Sequence, residues 1–266
     1  MLNEFFLKTL EEEGKRLNIP ANKNRALIRE YLQTRIIAAL YDKEGSPKLS
    51  FIGGTSLRLL RDLDRFSEDL DFDNLGLTAE QIKVLFQDIS YQLNREGFDA
   101  RCEIKNKNGS GIGDIKFEKL LFDLKISAHQ SEKLSIKINY TTPKKKPATE
   151  ILPVTRFGFA QNVVTNTMDV LLAQKIRAIF QRKDLQPRDF YDVVWFLARN
   201  IRPNQKILHD IGLKNEKDAF EALGKIFDKD VKPNLRQFKA RLLPFLINDE
   251  KISYLDLFGD IIEKQI

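Results

Sequence analysis

Phe51-Ile52-Gly53-Gly54-Thr55-Ser56-Leu57-Arg58-Leu59-Leu60-Arg61-Asp62-Leu63-Asp64-Arg65-Phe66-Ser67-Glu68-Asp69-Leu70-Asp71-Phe72 is the stretch that decides how this chain is read. Lys48 to Ile52 has the pattern of a short strand, stopped by Gly53-Gly54, with Thr55 and Ser56 as caps for a helix carrying Leu57, Leu59 and Leu60. Asp69-Leu70-Asp71-Phe72-Asp73 then alternates strictly, which predicts a strand with acids on one face and Leu70 and Phe72 on the other.

Each half of that stretch has a chemical reading. Two glycines after a strand let backbone approach a phosphate closely, and the N–H groups of the helix start, with Thr55 and Ser56, can bind phosphate oxygens. Asp69 and Asp71 on one strand face can share divalent cations that a nucleoside triphosphate also ligates. Alone, a Gly-Gly pair is usually a turn and an Asp-x-Asp usually a solvated strand edge. In this order the two outline a metal-dependent phosphoryl-transfer site. Asp73, one repeat beyond, is a weaker candidate ligand.

Outward from there, Phe5, Phe6, Leu10 and Leu17, then Leu27, Ile28, Leu32, Ile36, Ala39 and Leu40, have helical spacing and predict two N-terminal helices. Thr78 caps a helix running to about Glu96. From Phe98 to Tyr140 the period falls to two: Ala100, Cys102 and Ile104; Ile115 and Phe117; Phe122, Leu124 and Ile126; Leu134, Ile136, Ile138 and Tyr140. That predicts an antiparallel set of strands, broken by a loop at Asn108 to Gly111. Pro143-Lys144-Lys145-Lys146-Pro147 reads as a linker or exposed turn. Beyond Thr155 helices return, at about Met168 to Lys183, Arg188 to Asn200, Lys217 to Phe227 and Asn234 to Phe245.

Composition narrows the class. The 266 residues carry one cysteine, so no intrachain disulfide and no multi-cysteine metal site can form. The two histidines, His129 and His209, show no partner spacing and are assigned no role. A net charge of +6 permits a polyanionic partner. No apolar run approaches the roughly 18–20 residues that span a bilayer, and the opening residues do not read as a signal peptide, so a soluble, cytoplasmic protein without membrane contact is expected.

The combined pattern resembles the nucleotidyltransferase signature of the polymerase-beta-like superfamily. The fuller string, Gly53 to Leu59 through Arg65-Phe66-Ser67-Glu68-Asp69-Leu70-Asp71-Phe72, is similar to the AbiEii/AbiGii-type nucleotidyltransferase toxins. Ser135 to Tyr140 falls where that family has a lysine-bearing strand, and Leu171-Leu172-Ala173-Gln174-Lys175-Ile176 with Arg188-Asp189-Phe190-Tyr191-Asp192 falls at its helical lysine and Arg-Asp motifs. The resemblance spans about Phe51 to Leu197. It implies an α+β chain: a nucleotidyltransferase fold with a mixed, largely antiparallel sheet and N-terminal helices over 1–160, then a helical domain over 161–266.

The resemblance also implies roles. Asp69 and Asp71 would hold Mg2+ or Mn2+; Gly53, Gly54, Thr55, Ser56 and Lys137 would hold the nucleotide; Lys175 would neutralise the triphosphate; Asp189 would orient Lys175 or ligate nucleotide. Lys175 also stands out unaided, because it lies in an apolar helical stripe with Met168, Leu171, Leu172 and Ile179, where a lysine either reaches an anion or snorkels. Enzymes of the superfamily it resembles commonly add a third carboxylate on the strand beside Asp-x-Asp. Here Asn139 stands on that strand, which leaves the base as Asp189, water or phosphate. Arg182, Lys183 and Arg188 make a basic edge suited to RNA, or simply to solvent. The expected function is transfer of a nucleotide from a nucleoside triphosphate to an RNA acceptor, tRNA among the candidates, by the toxin of a toxin–antitoxin or abortive-infection system with a cognate antitoxin. The alternatives are transfer to a small-molecule or protein hydroxyl, and a catalytically weak nucleotide- or RNA-binding module.

Overall fold

A computed structural model describes residues 4–107 and 109–266. Met1 to Asn3, Asn108 of the expected loop and the Phe5 side chain lie outside the described set. The chain divides into two units that meet in sequence between Thr165 and Asn166.

The first unit opens with α1 (Glu4–Arg16) and α2 (Asn24–Tyr41). α2 buries Leu27, Ile28, Leu32, Ile36, Ile37 and Leu40, so it is a helix of the core rather than a surface helix with one apolar stripe. It also buries Glu30 and Gln33, and buried polar groups require partners. Gln33 donates to the carbonyls of Ser67 and Glu68, at 3.1 and 2.9 Å. Thus the core helix grips the backbone just ahead of Asp69.

A seven-stranded mixed sheet follows: β1 (Leu49–Ile52), β2 (Leu70–Asn74), β3 (Ala100–Lys107), β4 (Ser110–Phe117), β5 (Leu134–Thr141), β6 (Thr149–Arg156) and β7 (Phe159–Asn166), in the spatial order β3-β4-β5-β2-β1-β7-β6. β1 and β2 are antiparallel, with Ile52 opposite Asp71; β2 and β5 are parallel, with Asp71 opposite Asn139. α3 (Gly53–Arg61) follows β1 directly, and α4 (Ala79–Arg95) opens on a capping box between Thr78 and Gln81. Phe51, Leu70, Phe72, Ile115, Phe117, Ile136 and Ile138 are buried in one core with the helices.

Three expectations need correction. Phe122, Leu124 and Ile126 do not form a strand: Lys119 and Lys125 take left-handed backbone angles, and α5 (Leu120–Asp123) is a single turn that buries Leu120 and Leu121. β6 and β7 extend the sheet past the residues expected to carry it. β6 is an edge strand with an exposed Ile151 and an internal proline, Pro153, which an edge tolerates, so its alternation is faint in sequence. Thr55 and Ser56 are not caps, because the helix starts at Gly53 and both sit inside its first turn. The Pro143 to Pro147 patch is the exposed β5–β6 connection.

The second unit contains α6 (Met168–Gln181), α7 (Pro187–Leu197), α8 (Gln205–Asp210), α9 (Glu216–Ile226), α10 (Leu235–Leu242) and α11 (Phe258–Glu263). Phe190, Phe227, Phe238 and Phe258 form its aromatic core, with Phe227 and Phe258 stacked at 4.7 Å. Burial alone would raise the Asp169 carboxyl, but hydrogen bonds from Thr167, Asn204 and backbone outweigh it and leave it below its ordinary range.

The first unit also holds a buried ionic network. Arg58 donates to Glu30 from Nε at 2.8 Å and Nη2 at 3.2 Å, and at its edge buried Arg156 pairs with the exposed Asp62 at 2.6 Å. Glu30 and Arg58 are 2% and 5% exposed, so neither is compensated by water. Glu30→Ala is expected to lower the unfolding free energy by about 3–5 kcal/mol, the usual cost of stranding one member of a buried pair. Urea denaturation at neutral pH checks this, and an unchanged midpoint would show that the pair contributes little.

Candidate active site

Gly53 is the hinge of the site. Its φ of +78° lies in the left-handed region, and a Cβ at this position would stand 3.1 Å from Asp71 Cβ and closer still to Oδ2. Only glycine lets the turn pass so close to the carboxylate. Gly54 is crowded from the other side, since a Cβ there would lie 2.7 Å from Arg65 Nη2 and 2.9 Å from Ser67 Oγ. The turn is therefore wedged between the Asp-x-Asp strand and the segment leading into it. The Thr55 hydroxyl donates to the Asp69 carbonyl at 2.5 Å, and the Ser56 hydroxyl to the Gly53 carbonyl at 2.9 Å. Both residues are buried. The Thr55 hydroxyl fastens the turn to the residue that leads into β2 and the Ser56 hydroxyl closes the turn on itself, while the helix-start N–H groups supply the positive end of a dipole.

Asp71 and Asp69 are half-buried, with Asp69 one residue ahead of β2 rather than inside it. Asn139 Nδ2 donates to Asp71 Oδ1 at 2.9 Å. This bond orients the carboxylate and leaves Oδ2 on the Gly53 side. Asp73 is buried, opposite Ser50 and Thr141. Lys137 is exposed on β5, opposite Asp114. Among the described residues no group of three or more His, Cys, Asp or Glu side chains is arranged to hold a metal ion. Two carboxylates are nonetheless a fitting donor set for Mg2+, which usually takes one or two protein carboxylates and completes its shell with water and phosphate. Cys102 is held protonated at neutral pH, its thiol pushed up to about 11 by burial and by Asp114 and Glu103.

In the helical unit Lys175, Asp189, Asp192 and Arg182 form one cluster. Lys175 Nζ lies 2.8 Å from Asp192 and 3.2 Å from Asp189, and Arg182 Nη1 lies 2.6 Å from Asp189. Both carboxylates are almost fully buried. The lysine in the apolar stripe thus has two acids as anchors. Asp192 stands within the quoted Arg-Asp stretch without an assigned role, although its i+3 spacing from Asp189 on a helix otherwise rich in apolar residues is a usable signal. Arg188 lies over the Phe245 ring at 4.3 Å, and Lys183 is exposed. Asp189 has a cation at each oxygen, Lys175 at Oδ1 and Arg182 at Oδ2.

The profile of the nucleotidyl transferase AbiEii toxin of type IV toxin–antitoxin systems matches residues 35–258. The chain belongs to the AbiEii family. As an AbiEii-family protein it is a nucleotidyltransferase with a nucleoside triphosphate as substrate, and the family's type IV system implies a cognate antitoxin. Its fold is similar to that of JHP933 from Helicobacter pylori, with a TM-score of 0.57 and 18% identity over 90% of this chain and 92% of that one. A second H. pylori structure, provisionally described as a nucleotidyltransferase, aligns with a TM-score of 0.57 and 19% identity over 90% and 95% of the two chains. No curated protein matches the sequence. No described helix is long and apolar enough to cross a membrane.

Gly53, Gly54, Thr55, Ser56 and Asp71 meet at one turn with the Asp69 backbone, while Lys137 stands on β5 opposite Asp114; in the second unit Lys175, Asp189 and Arg182 share one ionic cluster, while Arg188 lies over Phe245 and Lys183 is exposed. Lys175→Met leaves buried Asp192 without its 2.8 Å partner, so a stability loss of about 3–5 kcal/mol is expected. Thermal unfolding of the purified variant checks this. A higher melting temperature would instead show a snorkelling lysine in an apolar stripe.

Proposed function

We propose that this AbiEii-family protein transfers a nucleotidyl group from a nucleoside triphosphate to an RNA hydroxyl, with tRNA as the leading acceptor, and that the turn at Gly53 and the carboxylates of Asp69 and Asp71 form the reaction centre. In this reading the acceptor oxygen attacks the α-phosphorus. An oxygen–phosphorus bond forms, the α–β phosphoanhydride bond breaks, and pyrophosphate leaves with the electron pair. The hydroxyl proton passes to water or a phosphate oxygen, since Asn139 cannot accept it. Mg2+ or Mn2+ held by Asp69 and Asp71 would offset phosphate charge and orient the triphosphate.

This chain's own residues supply the rest. Gly53 and Gly54 bring backbone N–H groups to the phosphates, Thr55 locks that backbone to the residue ahead of β2, and Ser56 braces the turn from within. Asn139 fixes the rotation of Asp71. Lys137 offers a positive charge from the neighbouring strand. In the helical unit Asp189 and Asp192 hold the head of Lys175, the cation that the family resemblance gives to the triphosphate. Arg182, Lys183 and Arg188 supply a basic edge for RNA, although Arg182 is engaged by Asp189.

The observation that carries the proposal is the Asp71 carboxylate lying where a Gly53 side chain would be. That close approach joins an anion-binding turn to a metal-binding carboxylate within one site. The experiment is incubation with each α-labelled nucleoside triphosphate, Mg2+ and total RNA, followed by identification of the labelled fraction. Label is expected in RNA, and label only in small molecules or protein would overturn the acceptor. Asp69→Asn and Asp71→Asn are each expected to reduce transfer by at least about 10²–10³-fold, the usual loss on removing a group that stabilises transition-state charge. Both should keep the wild-type circular dichroism spectrum. Wild-type turnover in both variants, still dependent on Mg2+, would place the reaction centre elsewhere.

A further inference from the structure

The strand register continues from the candidate reaction centre across the exposed side of the sheet. Asp71 stands opposite Asn139, Asn139 opposite Ile112, and Ile112 opposite Lys105. The next line runs Asp73, Thr141, Ser110, Lys107. Directly opposed residues share a face, so each line of side chains runs from β2 outward over β5 and β4 to β3. At about 4.8 Å per strand, Asp71 and Lys105 lie about 14 Å apart. That is roughly the span of two or three nucleotides of single-stranded RNA.

The residues along these lines differ from those of an ordinary solvated face. Lys105 and Lys107 are exposed at the β3 end, and the exposed Lys144 to Lys146 turn follows the same end of β5. The Thr142 N–H donates to the Gly109 carbonyl at 2.8 Å, which ties the start of that turn to the β3–β4 hairpin. Beyond Asp71 and Asp73, the acids Glu103 and Asp114 of this face are engaged by Lys116 at 2.7 and 3.9 Å, one repeat further along the strands. Between the lysines and Asp71 stands Ile112, an isolated apolar side chain that is 47% exposed. Gly111 and Gly113 flank it, and a Cβ at either would enter the ring of Tyr140 or Phe86, at 2.5 or 2.6 Å. These two glycines seat β4 against the core and turn Ile112 outward.

We propose that this face, β5–β4–β3, is the track on which the acceptor RNA lies, with its reacting end at Asp71, a base against Ile112, and backbone phosphates on Lys105 and Lys107. The inference rests on the proposed RNA acceptor and adds where that acceptor is held. Phosphodiesters match the lysines by charge, and an unpaired base matches Ile112 because every base offers an apolar face. A small-molecule acceptor would not extend as far as β3.

The test uses the full chain, total RNA and α-labelled nucleoside triphosphate with Mg2+. RNA association is measured at several salt concentrations for wild type, Lys105→Glu/Lys107→Glu, Lys105→Gln/Lys107→Gln, Ile112→Ser and Lys183→Glu, alongside triphosphate binding and thermal unfolding. Removing two lysine–phosphate pairs is expected to lower the slope of log affinity against log salt by about 1.4 in both double variants, at about 0.7 for each neutralised phosphate of a single strand. Ile112→Ser should weaken RNA about three- to tenfold at an unchanged slope. Triphosphate binding should match wild type throughout. Wild type that binds and labels RNA, with slopes unchanged in the double variants, overturns the track alone. A slope that falls only in Lys183→Glu moves the acceptor to the helical unit and also overturns it. Wild type that neither binds nor labels RNA removes the acceptor reading and the track together.

Discussion

The arrangement of the first unit depends on a glycine having no side chain. The chain must leave β1, reverse and enter α3 while the Asp71 carboxylate occupies the space a Cβ of residue 53 would take. No larger residue satisfies both the left-handed backbone and that close approach. Once the turn is fixed, α3 starts beside the Asp71 carboxylate, and the backbone of Asp69 is held to the same turn by Thr55. In the proposed reaction centre, fold and chemistry therefore meet at the same atom pair.

The core supports this approach through polar groups it would otherwise exclude. Gln33 on the central helix holds two carbonyls ahead of Asp69, Thr55 holds a third, and Arg65 is buried against Gly54. Glu30, about one turn earlier on the same helix, anchors Arg58 on α3. A purely apolar α2 would pack as densely, but it would leave the segment from Ser67 to Asp69 without a fixed path. Preorganisation of this kind suits phosphoryl transfer, in which positioning and fixed charge carry most of the catalysis.

Much of this was legible in the sequence because it depends on local rules. The Gly-Gly turn between a strand and a helix, the alternation of Leu70 and Phe72 with acids, and the Thr78 cap are each set by residues close in sequence, and the structure contains all three. What stayed hidden depends on distant partners. Gln33 looks like any polar residue on a helix until the Ser67 and Glu68 carbonyls arrive above it. Asp192 hides in an apolar run because its charge is cancelled by Lys175 from another helix. β6 lacks clean alternation because an edge strand buries little, and Phe122, Leu124 and Ile126 alternate without a strand because left-handed residues at Lys119 and Lys125 break the extended chain.

Gly53 is the position at which the reaction centre is tested most directly. Gly53→Ala should unfold only slightly earlier than wild type, since a left-handed alanine costs about 1–2 kcal/mol. Its nucleotidyl transfer should nevertheless fall about 100-fold or more, because the added methyl must displace Asp71 or the turn by a distance on the order of 1 Å. Transfer measured at saturating triphosphate, on protein shown to be folded by circular dichroism, decides the matter. A folded Gly53→Ala protein that turns over at the wild-type rate would contradict the claim that the close approach of Gly53 and Asp71 assembles the reaction centre.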